Sequence, residues 1–542
     1  MSIKSFVKDN AKRVMDSNTV ARVMSDDRVM RLADALLDAP GRMRAAKEKA
    51  SEAWHVLWHG YELPEMDPSM MSDDAMIGQG PVDTKKRASK AQDTTRPPVD
   101  ENTDAEAEKQ ASAAQADDEG ASDDDKLANA MAARLSIAGQ SGRDVFKKCY
   151  DFKAADNARK MGVYPYFRPL DFNDGPEAML EGRRVLMLGS NNYLGLTTHP
   201  KVRQAAMDAI QKYGTSMTGS RLVNGSMKLH NEFEEKMAAF HGKEAALVFT
   251  TGYQVNLAVL SALLSNKYTV ALIDRSDHAS IYDGVRLGVA VGARMLRYKH
   301  NDVESLERQL QSLDNATGAL VVTDGVFSAE GEIAPLPEIA SVTKKYGARL
   351  MIDDAHALGV IGPMGRGTAA HFDMVDQVDL IGGTFSKSLA SIGGWLVGER
   401  KVLDYVQHFA SSFMFAASAA PPNVAAAMMA LQVMQEESWR VDKLHENHTY
   451  MRTELKRMGW DVGRSETAVI PLYVRQDLRT IKMWKELLDN YGIYTNPFIS
   501  PGVPPKQACL RTSYMATHSR EHLDRALEAF QAVGKKFGIL HG

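Results

Sequence analysis

Cysteine is nearly absent: Cys149 and Cys509 are the two in 542 residues, so neither a disulfide framework nor a cysteine zinc site is available, and a reducing compartment fits. An excess of basic residues is missing too. Lys and Arg number 65 against 69 Asp and Glu, a net charge of -4, which argues against a general nucleic-acid binder because phosphate neutralisation needs a basic surface. No uninterrupted apolar run of about 18 residues occurs, and charges break the opening MSIKSFVKDNAKRVMDSNTV before a signal-peptide core can form. A cytoplasmic protein that neither spans a membrane nor is exported is therefore expected. Aromatic residues are few, 7% beside 44% hydrophobic and 25% charged, which describes an enzyme-sized globular chain diluted by something polar. At this length about two to four domains are expected.

The polar dilution is concentrated over residues 81–130. PVDTKKRASKAQDTTRPPVDENTDAEAEKQASAAQADDEGASDDDK has almost no large apolar side chains and cannot offset ordering entropy, so it is read as a disordered charged linker. Before it, Val29, Leu32, Ala33, Leu36 and Leu37 recur at helical spacing, Pro40-Gly41 interrupts, and Ala46, Ala50, Ala53, Trp54, Leu57 and Trp58 resume. This predicts a helical extension over 1–80 whose apolar faces suit each other, a partner protein or the surface of the inner membrane face.

After the linker the pattern is globular. The runs ALVF (246–249), VALID (270–274), ALVVTD (319–324), RLMID (349–353) and DLIGGTF (379–385) alternate with amphipathic stretches, which predicts an α/β fold with crossover helices and a mainly parallel sheet covered on both faces. AVIPLYV and ACLRTSYM predict a smaller α+β domain. The expected division is an N-terminal segment of the core (131–195), a large ligand-binding domain (196–400) and a small C-terminal domain (401–542). Ligands of such sheets bind beyond the carboxyl ends of the strands.

Four sets of polar residues fall there. In TFSKSLASIGG, Lys387 follows a buried run among Thr384, Ser386, Ser388 and Ser391; desolvation can lower such an amine's pKa and free it to form an imine, although a solvated lysine also fits. In IDDAHALG, Asp353 and His356 are on one side of a turn, where the carboxylate can pair with a protonated ring nitrogen and the histidine with a phenolic oxygen; an ordinary loop carboxylate with a capping histidine fits as well. In FTTGYQVN the chain turns at Gly252 into a helix whose first amides can hold an anion. In DRSDHASIYDG, His278 could stack on a flat cofactor or be structural. Together these are the parts that pyridoxal phosphate requires.

Residues from about 145 to 535 resemble the α-oxoamine synthases, in LGSNNYLGL, GSRLVNGSMKLHNEFE, TTGYQVN, HASIYDG, GVFSAEGEIAPL, DDAHALGVIGPMGRG, GTFSKS and CLRTSYMATHS. These are fold-type I pyridoxal-phosphate enzymes, decarboxylating acyltransferases that condense an amino acid with an acyl thioester. The resemblance implies Lys387 as imine lysine, Asp353 as partner of the pyridine nitrogen, His356 as partner of the ring oxygen and His278 stacked on the ring, all four counted as catalytic. It also implies phosphate amides from Gly252 and Tyr253, hydroxyls from Thr384 and Ser386, and Ser328 near the ring oxygen. For the substrate carboxylate it implies Arg511 with Asn191 or Asn192, the latter favoured by members with a single asparagine before the tyrosine. No metal is implied.

GSRLVNGS, HASIYDG and GTFSKSLASIGG look closest to bacterial members that join L-serine to a long-chain acyl group carried on coenzyme A or acyl carrier protein. Members using cysteate, alanine or glycine share the catalytic residues. The family also implies a homodimer, with Gly219-Ser220-Arg221 and the loop after it crossing to the neighbour. One departure stands out: NPFISPGVPP places Ile499 where many members carry an arginine. A noncatalytic subunit of a heterodimer, the reading from another class, predicts a missing imine lysine, whereas Lys387 is present.

Overall fold

The computed structural model describes residues 143–500 and 502–541. The helical extension over 1–80 and the charged linker over 81–130 lie outside the described residues. The described residues up to Tyr164 carry two short helices, Lys147–Tyr150 and Ala154–Lys160, and belong to a unit separate from the rest.

The second unit starts at Pro165 and is built on fourteen strands in three sheets. Strands β1 (Phe172–Asp174), β2 (Glu177–Leu180) and β3 (Arg183–Met187) form an antiparallel meander. Then come β4 (Ala245–Phe249), β5 (Thr269–Asp274), β6 (Arg294–Tyr298), β7 (Gly318–Asp324), β8 (Arg349–Asp353), β9 (Leu380–Thr384) and β10 (Gly394–Gly398). They make a seven-stranded sheet in the order β4-β10-β9-β8-β7-β5-β6, parallel throughout except for β10. The chain closes with β11 (Val469–Tyr473), β12 (Ile493–Tyr494), β13 (Asn496–Phe498) and β14 (Cys509–Ser513).

Side chains of the large sheet alternate between two cores. Leu350 and Ile352 of β8 join one cluster with Val270, Leu272 and Val321, while Met351 joins the other with Ala271, Ile273 and Val322. Both faces are thus apolar and covered, which is why these strands read as continuous hydrophobic runs. The expected mainly parallel sheet and the small C-terminal α+β layer, β11-β14-β13 with helices Trp439–Met458, Asp477–Tyr491 and Arg520–Lys536, are both present.

Three features were not foreseen. β6 is an edge strand, RMLRY, half exposed and carrying two arginines, so it lacks an apolar run. β10 is a five-residue GWLVG strand bounded by glycines. Finally, β12 pairs in parallel with β3, Ile493 opposite Leu186 and Tyr494 opposite Met187, so the meander becomes a four-stranded sheet made from both ends of the unit. That pairing brings the chain after β3, with Asn191, beside Arg511 of β14.

Candidate active site

The carboxyl ends of β4, β5, β7, β8 and β9 surround a cavity of about 320 Å³, within the roughly 300–1,000 Å³ of small-molecule sites. Among its walls are Gly252, Tyr253, His278, Asp353, His356, Thr384, Ser386 and Lys387. All eight were expected from the sequence, and they come from four separate strand-end segments.

One end of the cavity is built for an anion. Thr251 caps the helix Gly252–Leu263 by accepting from the Gln254 amide at 3.1 Å, which leaves the amides of Gly252 and Tyr253, with no intrahelical acceptor, beside the cavity. The hydroxyls of Thr384 and Ser386 are 2.9 Å apart on the facing turn. Gly252 is required for this approach, because a Cβ there would lie 2.5 Å from Cβ of Thr384.

The other end carries a carboxylate held in place. Asp353 accepts from Asn256 Nδ2 at 2.7 Å and from the Ala355 amide at 2.9 Å. Asn256 Nδ2 also donates to Ser280 Oγ at 2.8 Å, and Ser280 Oγ is 2.7 Å from Nδ1 of His278, so one chain of hydrogen bonds fixes both carboxylate and imidazole. It exists because the helices Gly252–Leu263 and Ala279–Val289 pack closely: a Cβ on Gly284 would fall 2.6 Å from the Asn256 carbonyl oxygen. Asn256 Oδ1 is left without a partner. Flipping the amide would turn that oxygen onto the Asp353 carboxylate, which is worse.

Burial pushes the Lys387 amine down to about 8, against the opposing pull of Asp353 and Asp324; Arg511 pushes the same way as burial. Below that pH the group is mainly ammonium, above it the nucleophilic amine. Imine formation between pyridoxal phosphate and enzyme stripped of cofactor is expected to accelerate as pH rises toward 8 and then level off. Stopped-flow absorbance would measure this; a rise continuing to pH 10 would refute the lowered value. Burial also lowers His278, and burial followed by Lys387 and Arg511 pushes His356 well down, so the uncharged form is favoured in both rings and most strongly in His356.

Arg511, like Asn191 and Asn192, does not line the cavity. Its Nη2 donates to Asn191 Oδ1 at 2.9 Å, its Nη1 to Ser513 Oγ at 2.8 Å and its Nε to the Ser328 carbonyl at 2.7 Å. Ser328 thus touches the arginine through its backbone and does not line the cavity. Asn192 is used otherwise: Nδ2 donates to Thr197 Oγ1 at 2.8 Å and Oδ1 accepts from the Leu196 amide at 3.0 Å. The favoured partner of Arg511 is displaced to Asn191, because the turn after β3 points Asn192 back into its own loop. Ile499 is buried just after β13.

Asp324, Asn256, Ser280 and Tyr193 were missed. Asp324 ends β7, lines the cavity, and accepts from the His278 amide at 3.4 Å; burial, then Asp353, push its carboxyl well up. The signal for it was present in ALVVTD, a run ending in a carboxylate like the one ending at Asp353. The residues fit pyridoxal phosphate at both ends: amides and hydroxyls for a phosphate, a fixed carboxylate for a pyridinium and an amine between them.

A mainly parallel sheet with this constellation at its carboxyl edge defines a fold-type I pyridoxal-phosphate enzyme. The aminotransferase class I and II family profile matches residues 183–530. A serine palmitoyltransferase from Sphingobacterium spiritivorum is 44% identical over 388 residues, 72% of this chain and 96% of the relative. An 8-amino-7-oxononanoate synthase from Thermoanaerobacter pseudethanolicus is 38% identical over 386 residues, 71% of this chain and 96% of the relative. A variant of the serine palmitoyltransferase from S. paucimobilis with a bound PLP–myriocin aldimine superposes with a TM-score of 0.70 at 33% identity, covering 73% of this chain and all of that one. The chain belongs to the serine palmitoyltransferase group of this family.

Proposed function

We propose that the enzyme condenses L-serine with a long-chain acyl thioester, releasing carbon dioxide and a thiol and giving 3-ketosphinganine, the entry into sphingolipid synthesis. The observation that supports the reading is the Asn191–Arg511 pair, which meets His356 of the cavity wall through Tyr193, while the cavity itself contains Lys387, an amine of lowered pKa.

Pyridoxal phosphate, when bound, supplies a sink for the electrons released at the amino acid's α-carbon. Gly252, Tyr253, Thr384 and Ser386 would hold its phosphate, and Asp353 would keep its ring nitrogen protonated. Lys387 would hold it covalently and, once free, is the base placed to take the Cα proton. His278 is fixed by Ser280 and Asn256 on the opposite wall, where it can cover the ring and exclude water. Over the whole reaction the α-carbon would exchange its bond to the carboxylate, released as carbon dioxide, for a bond to the acyl carbon as the thiolate leaves, and Lys387 would return to the α-carbon the proton it took.

Thiol release measured across serine, alanine, glycine and cysteate tests the substrate. Serine is expected to give the highest kcat/KM; preference for alanine would instead support 8-amino-7-oxononanoate chemistry, the second reading that the 38% relative favours. Asn191→Ala should raise the serine KM roughly tenfold, the worth of one hydrogen bond to a charged group. Asn192→Ala should lower thermal stability and leave KM within about twofold. Equal KM effects would remove Asn191 from the carboxylate site.

We also propose a homodimer and a recruiting role for the residues before the core. The loop after Gly219-Ser220-Arg221 supports the first: Arg221 is clamped to Glu234, while Leu222 and Val223 are 54% and 75% exposed. Among the described residues no helix is long and apolar enough to cross a membrane. A chain starting at Ala132 is expected to bind cofactor and turn over acyl-coenzyme A, while losing co-sedimentation with lipid vesicles or acyl carrier protein. Failure to bind cofactor would refute a separable tether.

A further inference from the structure

Tyr193 is fully buried, and its hydroxyl lies 2.7 Å from Nδ1 of His356 and 3.4 Å from Oδ1 of Asn191. A phenol has one proton and can give it to only one of these acceptors. Distance favours the imidazole, since 2.7 Å is a short bond and 3.4 Å is at the limit of bonding. Asn191 Oδ1 also accepts from Arg511 Nη2 at 2.9 Å, and the cation draws electron density from the oxygen and leaves it the weaker acceptor. Burial raises the phenol's pKa, so the proton stays on Tyr193. The neutral His356 ring carries a single hydrogen, and if Nδ1 accepts from Tyr193 that hydrogen must be on Nε2. His356 lines the cavity, and among the described residues no hydrogen bond is made to its Nε2.

We infer that Tyr193 is a positioning residue that locks His356 in the Nε2–H tautomer, so that the ring presents a hydrogen-bond donor to the phenolic oxygen of the bound cofactor. Arg511 contributes by making Asn191 Oδ1 the weaker of the two acceptors. The site therefore has a buried line, Arg511–Asn191–Tyr193–His356, that ties the carboxylate-binding end to the orientation of an imidazole on a different strand end. This inference rests on the role proposed for His356, and it assigns to Tyr193 a task that substrate contact would not reveal.

The test reads the tautomer directly. In the full-length enzyme without cofactor, histidine ¹⁵N NMR, with the His356 signals identified by their loss in His356→Asn, should show a pyridine-like Nδ1 and a pyrrole-like Nε2. The opposite pattern would overturn the inference without any change at Tyr193. Tyr193→Phe removes one oxygen and keeps the ring. It is expected to move both His356 signals toward values averaged between tautomers and to lower kcat about tenfold, with the serine KM within about twofold. Unchanged His356 signals, or a rise in KM alone, would overturn it. Failure of the functional reading would appear elsewhere, as a preference for another amino acid in the thiol-release assay, and would not alter the tautomer of the wild-type ring.

Discussion

Lys387→Ala is expected to lower turnover with serine by at least roughly 10²–10⁴-fold, the usual share of a general acid–base group, and to abolish the long-wavelength absorbance of lysine-bound pyridoxal phosphate. The side chain reaches into the cavity from the turn after β9 and contributes little to either core, so the variant should fold. In the mechanism proposed above, removing it takes away both the covalent anchor and the base for the Cα proton. Cofactor held by amides, hydroxyls and Asp353 should still be retained, loosely. Normal turnover by this variant would remove Lys387 from the chemistry and with it the whole assignment.

Asp353→Asn is the second large effect. The carboxylate is held by the Asn256 side-chain amide and the Ala355 backbone amide, with its charge facing Lys387. An amide of the same shape cannot keep a pyridinium protonated, so kcat is expected to fall roughly 10²–10³-fold, in the range found when one preorganised electrostatic partner is lost. A second sign accompanies it. Asp353 raises the Lys387 pKa, so its loss should move the midpoint of imine formation below pH 8. Measuring kcat and that midpoint in one variant separates the two tasks: a lower kcat with an unmoved midpoint would mean that Asp353 serves the ring and not the lysine.

Much of this site was legible because strand ends announce themselves. VALID, ALVVTD, RLMID and DLIGGTF each run apolar through a covered sheet and then turn polar where the sheet stops, which is where His278, Asp324, Asp353 and Lys387 are found. What the sequence could not carry is the set of bonds between such ends. Asn256 and Ser280 meet only because two helices close on Gly284, and Tyr193 meets His356 across 163 positions. The choice between Asn191 and Asn192 depends on the direction of a single turn, and no spacing in SNNYLG encodes it. β6 and β10 escaped for a compositional reason: one is an edge strand with charges, the other too short and too rich in glycine to read as a run.

The pairing of β3 with β12 has a consequence for the order in which the molecule is made. Ribosomes release the chain from its N-terminus, so Gly252, His278, Asp353 and Lys387 all emerge before Ile493 does. The parallel sheet that holds the cofactor can close on itself at that stage, whereas β3 must wait for its partner strand, and Asn191 for Arg511. A chain in mid-synthesis would thus assemble the walls of its cavity first and the Asn191–Arg511 pair last. Closing a loop of that span costs entropy that local contacts do not repay early, so the Asn191–Arg511 contact is expected to form after the parallel sheet.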